Sequence, residues 1–294
     1  MHRGGRMTGD VLTSSAPDGV KLPHSNPALA RMSLPTSSGR QPIVGPQKPL
    51  SLRNVKAHCH TCSMRELCLP VGVDHDALQQ IDALVTERIH VRKGAALYRA
   101  GDPFSALHAI RVGSCKTTVL GEQGHEQVAG YHMTGDIVGM DGIASDRYAG
   151  QAVALEDSEV CVLPYDRLEE LARHLAPLHR NLDKVLATEI VRGHNLMLLL
   201  GSFRAEERLA VFLLDLSQRY RERGYSATEF MLRLTREDIG SYLGLQLETV
   251  SRLLSRFQAG GLLQVQGRLV KLLDLPALKQ MAGDSGARGP IVHA

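Results

Sequence analysis

Residues 234–258 read LTREDIGSYLGLQLETVSRLLSRFQ, and the spacing within this stretch decides the C-terminal fold. Thr235 offers a hydroxyl that can cap a helix, and Glu237 and Asp238 set acids at the positive end of its dipole. Ile239, Tyr242 and Leu243 recur on one face before Gly244-Leu245 breaks the helix. A second helix follows over 247–257, with Val250, Leu253, Leu254 and Phe257 facing inward. Two helices joined by a glycine-containing turn form a helix-turn-helix, whose second member lies in the DNA major groove. Its outer face carries Glu248, Ser251, Arg252 and Arg256. Arginine bonds guanine through two donors and glutamate accepts from the cytosine amino group, so Arg252 and Glu248 can read one G·C region. The partner this predicts is double-stranded DNA.

The flanks extend the pattern. Downstream, residues 262–265, the turn Gln266-Gly267 and residues 268–272 predict an apolar hairpin, a wing beside the helices. Arg268 and Lys271 are either phosphate contacts or a solvated hairpin face. Upstream, residues 177–201 predict a long helix in which Leu186, Ile190, Gly193, Met197 and Leu200 recur at alternating steps of four and three. That period keeps one stripe against a partner helix and predicts a homodimer, the alternative being a stripe packed on its own domain. Asp183 lies on the same line and Gly193 has no side chain, so such a dimer is expected to be marginal.

Further upstream, residues 94–163 contain short apolar runs separated by Gly101-Asp102, Gly121 and Gly135-Asp136, the punctuation of many short strands in a β-roll or barrel. A helix is expected before them over 74–87, with Leu78, Ile81, Leu84 and Val85 on one face. Residues 1–50 are rich in Ser, Pro and Gly without an apolar period and are expected to be a disordered tail, with Met7 an alternative start. The expected domains are therefore the tail at 1–50, a sensor unit at 51–175, a dimerisation helix at 176–201 and a DNA-binding unit at 202–294.

Composition narrows the class. The 294 residues are 43% hydrophobic, enough for about two cores, and the net charge of +3 permits a nucleic-acid partner without requiring one. Arg3 and Arg6 are followed by no apolar stretch, so neither a secretory signal nor a membrane span is readable, and a cytoplasmic protein is expected. Of five cysteines, Cys59, Cys62 and Cys68 form C-x2-C-x5-C, which in a reducing compartment points to a metal, an iron-sulfur cluster or redox chemistry. Three thiols are one ligand short. The fourth has to come from Cys115, Cys161 or a histidine such as His58 or His60.

The helix-turn-helix stretch resembles the recognition region of the CRP/FNR family of bacterial transcription regulators, and the resemblance runs from about Lys56 to the wing. Glu248-Thr249-Val250-Ser251-Arg252 is similar to the E-x-x-S-R reading residues of the FNR branch, the oxygen-responsive anaerobic regulators. The resemblance implies an α+β fold: an N-terminal cyclic-nucleotide-binding-like β-roll, a long dimerisation helix and a C-terminal winged helix-turn-helix. It implies palindromic DNA with TTGAT-type half-sites, read through Glu248, Ser251 and Arg252. Residues 58–70 are similar to the branch's cluster segment, and residues 158–164 to the segment supplying its distant fourth cysteine. What this implies is a 4Fe-4S cluster held by Cys59, Cys62, Cys68 and Cys161. Cys115 is then a small apolar strand residue, His58 and His60 are exposed neighbours, and Ser63 is either an ordinary polar surface residue or a residue that tunes access of oxygen to the cluster.

The residues leave three other readings open. A zinc or thiol-switch regulator of the same fold is the nearest. A cyclic-nucleotide receptor, as in the family's other main branch, needs an Arg-Ser pair that residues 135–151 lack, so no cyclic nucleotide is expected. An iron-sulfur electron carrier or redox enzyme finds no dinucleotide fingerprint and no catalytic triad, so no enzyme is expected. Activation would add RNA polymerase as a partner, with residues 122–126 a contact by family position.

Overall fold

The computed structural model describes residues 50–51, 59–63, 65–69, 72–85, 87–121 and 124–283. The expected tail up to residue 49, Met7, His58 and Glu122 of the 122–126 loop lie outside the described residues.

Short alternating runs turned by glycines build the N-terminal part. Its elements are β1 (Leu50–Ser51), α1 (His75–Leu84), β2 (Glu87–Val91), β3 (Ala96–Tyr98), β4 (Ala106–Val112), β5 (Ser114–Leu120), β6 (Glu126–Met133), β7 (Ile137–Val138), β8 (Gln151–Ala154) and β9 (Ser158–Pro164). The strands form two antiparallel sheets, ordered β1-β2-β9-β4-β7 and β3-β8-β5-β6. The helix expected over 74–87 is shorter. Asp74 caps it by accepting from Ala77, Val85 is already extended, and Glu87 pairs with Val162 of β9. Strand pairing there outweighs the helical period.

Strand parity assigns residues to different cores. On β4, Leu107 and Ala109 face the helices and pack with Ile81, Leu163, Leu168, Leu178 and Leu182. Ile110 instead joins Tyr98, Cys115, Val138, Tyr148 and Ala152 inside the roll.

Beyond the roll come α2 (Tyr165–His174), α3 (Ala176–Ser202) and α4 (Ala205–Glu222). The long helix α3 matches the expectation to within a residue at each end. Then follow β10 (Glu229–Met231), α5 (Arg236–Leu243), α6 (Leu247–Ala259), β11 (Leu263–Gln266), β12 (Leu269–Leu272) and α7 (Leu275–Gly283). The wing is three-stranded, ordered β10-β12-β11, and β10 was not legible as a strand.

One apolar cluster runs through Tyr131, Met133 and Leu155 of the roll, Leu199 of α3, Leu209 and Phe212 of α4, and Ile239, Val250, Phe257 and Leu263 of the C-terminal part. No described helix is long and apolar enough to cross a membrane.

Candidate functional site

The helix-turn-helix is locally over-determined. Thr235 Oγ1 accepts from Asp238 N at 3.0 Å, and Asp238 Oδ2 accepts in return from Thr235 N at 2.9 Å. At the turn Gly244 takes φ +62, a conformation that favours glycine, and its N–H closes α5. A Cβ on Gly240 would meet the Leu245 carbonyl oxygen at 2.6 Å, so only glycine lets the turn approach α5 this closely.

On α6, Val250, Leu253, Leu254 and Phe257 are buried as expected. Glu248 and Arg252 are exposed and Ser251 is half-buried, which puts all three on the outer face near the N-terminal end of the helix. Arg252 Nη2 reaches Thr249 Oγ1 at 3.4 Å. Arg256 pairs instead with Glu206 of α4. Arg268 and Lys271 are exposed on the wing, and Lys271 lies 3.8 Å from Glu229.

The stripe on α3 divides. Leu186 packs partly against the cluster under the roll, and Leu200 is half-buried beside Gly244. Between them Ile190 is 59% and Met197 64% exposed, with Gly193 exposed as well. Asp183 is exposed on the same line, 3.6 Å from His179. Among the described residues nothing covers the middle of the stripe.

The cysteines are sorted by position. Cys59, Cys68 and Cys161 all pack against the helix-facing cluster that contains Leu69, Leu178 and Leu182. Cys161 reaches it because it alternates with Val160 and Val162, which face the roll. Burial raises the Cys59, Cys68 and Cys161 thiols above their ordinary pKa, Cys68 to about 12. The thiols also raise one another: Cys59 feels Cys68 and Cys161, Cys68 feels Cys161 and Cys62, and Cys161 feels Cys62. Arg88, opposite Cys161 across the strand pair, works the other way and favours the thiolate. Cys115 is fully buried inside the roll and is influenced by Asp136 and Arg219, not by any cysteine.

Four soft donors suit a thiolate-bound metal or cluster in kind and number. Among the described residues, no three His, Cys, Asp or Glu side chains converge closely enough to hold a metal ion. All five cysteines are free thiols. His60 is exposed and lies 3.0 Å from Asp82 of α1, which also accepts from the Cys59 N–H. Ser63 is exposed.

The cysteine segment is tied to the rest at points that the sequence did not announce. The Leu69 carbonyl accepts from Asn181 of α3 at 2.8 Å. Leu67 lies against Gly135, so close that a Cβ there would come within 2.9 Å of it. The next residue, Asp136, is buried and pairs with Arg219 at 2.5 Å and Arg223 at 2.9 Å, both on or just past α4, and with Arg192 of α3 at 3.6 Å. Burial alone would raise this carboxyl; the three guanidiniums overcome it and hold the group well below the usual carboxylate range. In the sequence Gly135-Asp136 read only as a turn.

Inside the roll a cleft of about 400 Å³ opens beside α3. Asp141 and Glu189 line it, and no Lys or Arg is among its described lining residues.

Comparison with known proteins places these features in a family. The pattern of the Crp-like helix-turn-helix domain matches residues 207–281, and that of the cyclic nucleotide-binding domain matches residues 88–174. The chain is 45% identical over 237 residues to the transcriptional regulatory protein btr of Bordetella pertussis, covering 81% of this chain and 98% of the relative. It is 42% identical over 226 residues to the fumarate and nitrate reduction regulatory protein of Escherichia coli, covering 77% and 90% respectively. The structure of FixK2 from Bradyrhizobium japonicum superimposes with a TM-score of 0.61 at 31% identity, over 67% of this chain and 96% of that one. The two sequence relatives are regulatory proteins rather than enzymes, and the likeness extends over roll, long helix and winged helix-turn-helix together. The chain belongs to the CRP/FNR family of DNA-binding transcription regulators.

Proposed function

We propose that this protein is an oxygen- or redox-responsive transcription regulator that binds palindromic DNA as a homodimer, with Cys59, Cys62, Cys68 and Cys161 as ligands of a 4Fe-4S cluster. The observation that carries the reading is that Cys59, Cys68 and Cys161 all lie against the apolar cluster on which the first turns of α3 rest, with Cys62 felt by Cys68 and Cys161, while Cys115 is set apart inside the roll. A relative at 42% identity named for fumarate and nitrate reduction supports the same direction. In this reading residues 51–175 sense, 176–201 dimerise and 202–294 bind DNA.

When bound, the cluster supplies a centre that oxidants destroy, held by four thiolates. The rest is the work of the chain. A segment anchored at all four cysteines keeps Leu69 in the core and its carbonyl on Asn181, so the start of α3 is held against the roll. Release of the segment weakens both ties. Burying Ile190 and Met197 of each chain against a partner contributes about 2 kcal/mol per side chain. A dimer this weak is lost when its helices lose their support, and affinity for two half-sites falls with it. In the intact dimer Glu248, Ser251 and Arg252 read TTGAT-type half-sites, and activation adds contact with RNA polymerase. A cyclic phosphate is disfavoured in the roll, where the charged lining is acidic.

The test is protein purified without oxygen, examined by visible spectrum with iron and sulfide analysis. Iron and sulfide in equal amounts are expected, lost in Cys161→Ser and retained in Cys115→Ser. Zinc in place of iron, or equal retention by both variants, overturns the cluster assignment. Sedimentation before and after aeration should show the dimer giving way to monomer; a dimer unchanged by aeration overturns the coupling.

A further inference from the structure

The helix-turn-helix does not hang free of the roll. Its first helix, α5, lies on β6, the edge strand of the four-stranded sheet. Ser241 Oγ accepts from the Val128 N–H at 2.8 Å, which satisfies a donor on that open edge, and the Ser241 carbonyl accepts from the Gln127 side chain. Lys116 of β5 reaches Asp238 at 2.6 Å, and both side chains are largely buried. Asp238 is the same carboxylate that completes the cap of α5 with Thr235, so one group both starts the helix and ties it to the roll. At the other side Asp136 binds Arg219 and Arg223, while its contact with Arg192 brings in the long helix. None of these residues faces the outer surface of α6.

We propose that Lys116, Ser241 and Asp136 are positioning residues for DNA recognition: they make roll, long helix and helix-turn-helix one body, and so fix the spacing and angle at which two recognition helices meet their half-sites. Two hinged domains joined only by a linker would tolerate a range of half-site separations. A body clamped at two places does not. Adding one base pair between half-sites displaces the second by about 3.4 Å and turns it by about 35°, more than a clamped pair of helices can follow. The inference rests on the proposed reading of a palindrome by a homodimer.

The experiment compares wild type with Lys116→Met/Ser241→Ala, both purified without oxygen, on duplexes carrying two inverted TTGAT half-sites at the best-bound separation and with one base pair added. The wild type is expected to lose about tenfold or more in affinity on the longer duplex, and the variant no more than about threefold, since geometry sets the gain from holding both halves. Preference for the G·C pair within each half-site should be the same in both proteins, because Glu248, Ser251 and Arg252 are untouched. Lys116→Arg keeps the ion pair and should restore spacing selectivity. Asp136→Asn should act like the double variant; because it leaves three arginines short of their partner, its thermal unfolding is measured alongside, and the double variant decides if it fails to fold. Equal spacing selectivity in wild type and double variant, or none in either, overturns the proposal. Failure of the wild type to prefer a palindrome over a single half-site overturns the dimeric reading itself.

Discussion

Gly240 and His108 illustrate how much single residues decide. A methyl group at Gly240 would press on the Leu245 carbonyl, a backbone atom that cannot swing aside. Gly240→Ala is therefore expected to destabilise the C-terminal part by about 1–3 kcal/mol through overpacking and to lower DNA affinity, as read by thermal unfolding and operator binding. Gly201→Ala, with open space at its Cβ, should do neither. His108 is buried in β4, its Nδ1 has no hydrogen-bond partner, and burial pushes its pKa down to about 4. Because the folded value lies below the unfolded value of 6.5, the unfolded chain takes up the proton first as pH falls. Stability should be unaffected by this group above about pH 6.5 and should drop by about 3 kcal/mol between there and pH 4. Urea midpoints measured across that window should fall less steeply in His108→Phe than in wild type; parallel curves would refute the assignment.

At the scale of elements, the long helix is two things at once. Its first turns and its last are buried, through Leu178, Leu182 and Leu199, while its middle leaves Ile190 and Met197 in solvent. Such a helix is stable in the monomer because both ends pack, yet it carries an apolar face with no partner among the described residues. Ile190→Glu and Met197→Glu should leave the stability of the monomer within about 0.5 kcal/mol of wild type, as surface changes do, and should abolish the dimer in sedimentation. A dimer that survives both substitutions would place the interface elsewhere. The period of four and three was readable in the sequence, but which of its members face out was not. Leu186 and Leu200 share the stripe with Ile190 and Met197, and only the roll at one end and the Gly244 turn at the other cover them.

Across the whole molecule, the apolar cluster that passes from Tyr131 and Met133 through Leu199 to Phe257 leaves no gap at the expected boundary near residue 202. Buried charge reinforces it, since Asp136 of the roll is neutralised by arginines of α3 and α4. Packing of this kind predicts one cooperative unfolding transition: denaturation followed at amides of β4 and at amides of α6 should give coincident curves. Two separated curves would mean that the roll and the helix-turn-helix fold as independent units. The same continuity gives a loss of order around the cysteines a physical route toward the DNA-binding face, through Leu67 on Gly135 and Leu69 on Asn181.

Sequence alone determined whatever local chemistry and short periods govern. The cap at Thr235, the break at Gly244, the inward face of α6, the glycine-turned strands and the three clustered cysteines were all legible, because each depends on neighbours within a few residues. Tertiary structure alone decided which distant partners met. Cys161 and Cys115 are both strand cysteines, and the parity of β9 turns one toward the other thiols while β5 buries the other inside the roll. Arg256 and Arg252 occupy the same helix face, yet Glu206 of α4 engages only Arg256. Asp136 read as part of a turn and became the point where three arginines meet, because charge pairing across more than fifty residues leaves no period in the chain to read.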